Sequence, residues 1–203
     1  MTVRQWVRIT PEGVEGSGRP LATTARGTAL LTELYRCLVG DYPKFFKMDE
    51  PSRLGFLAAE LLLLAELEAG QTAETEARQT AETDAVVACN GSLEECAVIL
   101  FGRSGSIVSD RRFQLTIEHA DDYYPSPSVF VYTLPNIVAG EIAQRHGLHG
   151  ETAFYLLPQR DDRLMFSIVE ASLADSAASC AISGWVDFEA SDRFEAYIEL
   201  NVK

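Results

Sequence analysis

Basic residues are scarce in this chain: 17 Lys+Arg stand against 30 Asp+Glu, a net charge of −13 at pH 7. That balance argues against a nucleic-acid partner, because affinity for a phosphate backbone comes largely from cations that displace counterions. An acidic carrier protein would be repelled as well, except at a local basic patch. The one compact basic group, Arg103, Arg111 and Arg112, reads as a solvated face. Long apolar runs are also missing. The longest, Leu61–Ala65, is flanked by Glu60 and Glu66 and falls far short of the ~20 residues a membrane span needs. The first residues lack the charged-then-apolar order of a secretory signal, so a cytoplasmic protein without membrane contact is expected. Cys37, Cys89, Cys96 and Cys180 have neither close paired spacing nor a neighbouring His. They read as buried free thiols, with no metal site and no cofactor expected.

What is present is enough apolar material for one sizeable core: 203 residues at 47% hydrophobic content predict a single domain over 1–203. VRQWVRI alternates as a first strand, and TPEGVEGSGRP reads as a turn region. Leu30, Leu31, Leu34 and Leu38 recur at helical spacing, stopped by Gly40. MDEPSRLGFLAAELLLLAELEAG predicts a helix buried on most sides, with Asp49 as cap, Pro51 in the first turn and Gly70 at the exit. QTAETEAR followed by QTAETDAV is a polar duplication, an insertion at about 71–84 without an apolar face. It suits a solvated connection or a lengthened helix end.

ECAVILFG reads as a strand covered on both faces. SDRRFQLTIEHA predicts a short helix capped by Ser109 or Asp110, DDYYPSPS a turn, and VFVYT a brief extended piece. Thr133 is placed to cap LPNIVAGEIAQRH, which Gly147 ends, and ETAFYLL reads as another buried strand. Asp161 or Asp162 caps the next helix, whose turns are marked by Leu164, Ile168, Ala171 and Asp175. CAISGWVDF and RFEAYIELNV, joined by a tight turn, predict an antiparallel pair. Helices alternating with strands predict a layered α/β sheet.

Three blocks in order, KFFKMDEPSRLGFLAAE, VFVYTLPNIVAGEIAQRHGLHGET and the strand–helix–strand ending in ISGWVDF, resemble the N-terminal half of a β-ketoacyl-(acyl carrier protein) synthase of the thiolase-like superfamily. The middle block is the specific one. It is similar to the family's helix with a Pro-Asn start, a small-residue centre where another backbone packs close, and an Arg-x-Gly-Leu-x-Gly exit. Here these are Pro135, Asn136, Ala139, Gly140, Arg145, Gly147, Leu148 and Gly150. The resemblance covers roughly residues 44–190, and the duplication departs from it. It implies a thiolase-like half: a mixed five-stranded sheet with helices on both faces.

In that family a Cys stands at the turn where the following strand enters a helix. There the unpaired amides stabilise a thiolate and bind a thioester oxyanion. Counting from Gly150, the family's nucleophile falls on Gln159, preceded by Pro158 and followed by Arg160, Asp161 and Asp162 where small residues are expected. Two carboxylates there would raise a thiol's pKa. Cys180 comes after the helix, and His119, His146 and His149 lie outside the half that carries the family's catalytic His pair. Gln at this place also recurs in chain length factors, which resemble ketosynthases and act by pairing with an active one.

The resemblance therefore implies no catalytic residue and a partner role in fatty acid, aryl polyene or polyketide-type biosynthesis. A complete ketosynthase or a second copy would cover an apolar helix face, and an acyl carrier protein is a further candidate partner. Two alternatives stay open. One is a minimal acyl-thioester transferase or decarboxylase acting as a homodimer. The other is a binding module that retains the fold.

Overall fold

The computed structural model describes residues 1–80, 93–119, 121 and 124–203, and of 72–80 the backbone alone. Cys89 and most of the second copy of the duplication lie outside the described residues. The strands are β1 (Thr2–Thr10), β2 (Gly13–Gly16), β3 (Ala97–Gly102), β4 (Thr152–Leu156), β5 (Cys180–Ala190) and β6 (Arg193–Val202). The helices are α1 (Thr28–Leu38), α2 (Glu50–Thr80), α3 (Ile107–Leu115), α4 (Pro127–Phe130), α5 (Ile137–His146) and α6 (Asp162–Asp175).

The sheet is mixed, in the order β2-β1-β6-β5-β3-β4. β3 runs parallel to β4 and β5, and the remaining neighbours are antiparallel. It has six strands where five are expected. The extra one is β2, which folds back on β1 from the segment read as a turn. β5 and β6 form the expected hairpin.

Helices lie on both faces of the sheet. On one side α1, α2 and α5 bury Leu34, Leu57, Leu62 and Ile142 against Val98, Leu100, Ile182 and Ile198. On the other, Met165, Val169 and Leu173 of α6 cover Ile99, Phe101 and Trp185. Every residue of β3 is buried, because its odd and even positions enter different cores.

Asp49 caps α2 as expected, accepting from the Ser52 amide at 3.0 Å. Gly70 does not end that helix, which continues through Thr80. Glycine costs a helix interior only about 1 kcal/mol, so one Gly among good helix formers is an insufficient stop. α3 starts at Ile107 with Ser106 at the N-cap position, which places Ser109 and Asp110 inside its first turn. VFVYT is helical rather than extended, continuing α4 into a 3-10 turn at Val131–Thr133.

Thr133 does not cap α5. Its hydroxyl donates to the Phe130 carbonyl at 2.7 Å, and Asn136 holds the N-cap position without a side-chain bond. Gly147 does close α5 in the left-handed conformation, at φ 64°. β4 is an edge strand, with Thr152, Tyr155 and Leu156 exposed rather than buried. On α6 the buried stripe is Met165, Val169 and Leu173, one residue on from the expected Leu164 and Ile168.

Candidate functional site

The turn between β4 and α6 is where the sequence resemblance sets a nucleophile. The Leu157 amide still donates to the Gly102 carbonyl at 2.9 Å, after which Pro158 and Gln159 bend outward and are exposed. Asp161 is extended, at φ −132°, and its carboxylate accepts from the amides of Arg163 and Leu164, both at 3.1 Å. Those amides and the positive end of the helix are what would hold a thiolate or an oxyanion. Here they are already bonded to the chain's own carboxylate, and an incoming anion would have to displace it and meet its charge.

Arg160 fixes the other side of the turn. Its Nε donates to Asp162 at 2.7 Å, and its guanidinium stacks 4.3 Å from the centre of the Tyr197 ring on β6. Burial first, and then Glu199 beside it, push the Tyr197 phenol up to about 12, so it stays protonated. Replacing Asp161 by Ala should cost ~1 kcal/mol, the usual value of an N-cap, measured by urea unfolding. Gln159→Ala, at an exposed and unbonded side chain, should change stability by less than ~0.5 kcal/mol.

None of the described thiols stands at the start of α6. Cys37 is exposed on α1, Cys96 is buried just before β3, and Cys180 is buried at the start of β5. A hydrogen bond with Cys96, opposed by burial, holds the Cys180 thiol below its ordinary pKa. At 0% exposure it meets no substrate.

The α5 motif serves packing and ion pairing, with its parts on different jobs. A Cβ at Gly105 would come within 3.3 Å of Pro135, and a Cβ at Gly150 within 2.6 Å of the Glu95 carbonyl, so both places are tight. Asn136 is exposed. Gly140 faces open space, and the close approach between α2 and α5 is instead at Gly55, where a Cβ would lie 2.4 Å from Val138.

Arg145 donates to Glu60 at 2.8 Å and stacks over Tyr42 at 5.0 Å, while His146 Nε2 sits 3.3 Å from the same carboxylate. Burial of Glu60 opposes its ionisation, but His146 and Arg145 beside it outweigh that and hold the carboxyl below its ordinary pKa. A carboxylate with a lowered folded pKa stabilises the fold above its unfolded value, and loses that contribution as pH falls through the folded value. Glu60→Gln should therefore cost about 1 kcal/mol at neutral pH. The difference from the parent should shrink as pH drops below 4.5, glutamate's ordinary value. Urea unfolding as a function of pH measures it.

His119 and His149 are exposed. Arg103, Arg111 and Arg112 do not act as one patch: Arg103 pairs with Glu189, Arg112 with Glu50, and Arg111 is exposed. Among the described residues no group of His, Cys, Asp and Glu could hold a metal ion, and no helix is long and apolar enough to cross a membrane.

Two features escape sequence reasoning. One is a set of exposed apolar side chains at the β4 edge and the start of α6: Leu156 is 59% exposed, Leu164 43% and Phe166 45%. The other is a groove that brings the buried pair Asp49 and Ser109, the Ser109 hydroxyl donating at 2.5 Å, beside Lys44, Lys47 and Arg112. Asp49 and Ser109 are far apart in the chain, so no local pattern announces them.

No protein-family model and no curated protein matches the chain. Solved structures do. One is "The ishigamide ketosynthase/chain length factor", at 17% identity and a TM-score of 0.62, covering 99% of this chain and 61% of that one. Another is the ketosynthase ApeO in complex with its chain length factor ApeC from Xenorhabdus doucetiae, at 14% identity and a TM-score of 0.51, covering 100% of this chain and 79% of that one. The chain thus spans about three-fifths of the length of the first of these structures. At such identities what is shared is the fold, the thiolase-like α/β arrangement of ketosynthases and chain length factors.

Proposed function

We propose that this chain is a non-catalytic accessory subunit that pairs with a complete ketosynthase in fatty acid, aryl polyene or polyketide-type biosynthesis. The observation that carries this reading is the open edge. β4 bonds to β3 alone and ends the sheet, with Tyr155 38% and Leu156 59% exposed on it. Beside it in sequence, α6 turns Leu164 and Phe166 outward. An apolar edge strand with unpaired amides and carbonyls is a template for a second strand, and proteins that keep one ordinarily cover it.

The self-capped turn before α6 supports the non-catalytic part, as does the placement of the described thiols. Gln159 then occupies the nucleophile's place without its chemistry. The net charge of −13 makes the ketosynthase the better dock for an acyl carrier protein.

Co-expression with a complete ketosynthase from the same gene neighbourhood, followed by size exclusion with light scattering, tests the pairing. A one-to-one complex is expected. A chain that stays monomeric at high micromolar concentration, both alone and with that ketosynthase, would refute it.

A further inference from the structure

A groove of about 630 Å³ opens between the 3-10 turn Pro43–Lys47, the start of α2, α3 and the segment that joins α4 to Thr133. Its walls are Met48, Val129, Val131 and Tyr132, and Lys44, Lys47 and Arg112 reach it. That volume lies in the range of small-molecule sites, where apolar walls supply affinity and a few charged groups fix orientation.

The charges decide what fits. Lys44 is ion-paired with Glu141 at 2.7 Å and donates to Gln144, and Arg112 donates to Glu50 at 2.7 Å. Lys47 is exposed and has no carboxylate partner among the described residues. The one acid among the lining residues, Asp49, is 6% exposed, and its two oxygens accept from the Ser52 amide and the Ser109 hydroxyl. Burial pushes its pKa up, against those two bonds. Tyr132, pushed up to about 12 by burial and by Glu141, remains a neutral donor at physiological pH. In a chain of −13, the groove thus joins an apolar wall to an unmatched cation.

We propose that this groove binds a single-chain amphiphile with an anionic head, the head on Lys47 with Lys44 and Arg112 flanking it, and the alkyl tail along Met48, Val129 and Val131. A carboxylate and a phosphate monoester offer the same chemistry here. This does not depend on the ketosynthase reading, since the groove is formed by other segments than β4 and α6.

The test is isothermal titration of the full chain with decanoate, decyl phosphate, decan-1-ol and decylammonium below their micelle concentrations, with amide chemical shifts to locate the site. Saturable binding of decanoate or decyl phosphate is expected, and which of the two is tighter identifies the head group. Decan-1-ol and decylammonium should bind at least about tenfold more weakly. Lys47→Gln, at an exposed residue that leaves the fold intact by circular dichroism, should weaken the anions by roughly tenfold and leave decan-1-ol unchanged. Decan-1-ol binding as tightly as the anions would overturn the proposal. So would an unaffected Lys47→Gln, shifts confined to other surfaces, or no binding of either anion at millimolar concentration.

Discussion

Gly184→Ala is expected to cost about 3–5 kcal/mol, a large part of the ~5–15 kcal/mol that holds a domain of this kind together. Gly184 lies in the middle of β5, paired to Ile198 of β6 on one side and to Leu100 of β3 on the other. A Cβ there would stand 2.1 Å from the Tyr197 carbonyl oxygen and 2.7 Å from the Ile198 Cα, and its φ of 149° disfavours any side chain. The obstacle is backbone on both counts. β6 cannot retreat from it, because Ile198 is held in turn by Val7 of β1. Thermal unfolding should show a drop of roughly 10 °C, and an unchanged midpoint would mean that the β5–β6 register is wrong. Gly140→Ala is the matched control. Its added methyl meets nothing within 4 Å and sits inside α5, so it should stabilise by about 0.5–1 kcal/mol.

The paired substitution Leu156→Arg with Leu164→Asp should abolish assembly with a ketosynthase, raising Kd by at least about a hundredfold. Two buried charges at the centre of an interface are worth several kcal/mol. Both residues are exposed in the isolated chain, at 59% and 43%, so its own stability should move by less than about 0.5 kcal/mol per site. That separation is what makes the experiment decisive: retained folding by circular dichroism with lost co-elution places the interface at the β4 edge. Retained co-elution moves the partner elsewhere.

Why some elements were legible and others not follows from the same physics. α1 was readable because Leu30, Leu31 and Leu34 sit on one buried face. The β5–β6 hairpin was readable because two apolar runs flank a tight turn. β2 was not, since GVEG is short and bounded by glycines, and only its pairing with β1 makes it a strand. α4 was hidden because PSVF combines a proline with a β-branched Val and an aromatic Phe, a composition that also suits an extended piece.

The α6 stripe is one residue on from the spacing Leu164 and Ile168 suggest, because apolar residues fill both faces of this helix and Leu164 faces out. β4 failed in the most informative way. An apolar strand reads as buried, and in the isolated chain it is an open edge, which is the reason for proposing a partner there.

At the turn before α6, the Asp161 cap was readable from its spacing to the helix. The clamp of Arg160 on Tyr197 was not, because it joins that turn to β6 across the sheet. The groove at Asp49 and Ser109 needed the tertiary fold for the same reason.

The most direct measurement of the proposed non-catalytic partner role is intact-mass spectrometry of this chain together with a complete ketosynthase from the same gene neighbourhood, after incubation with a malonyl- or acyl-loaded carrier protein. Acyl mass should appear on the ketosynthase alone, with this chain unmodified and the yield of elongated product falling when it is left out. An acyl adduct on this chain, or elongation that proceeds equally well without it, would contradict that role.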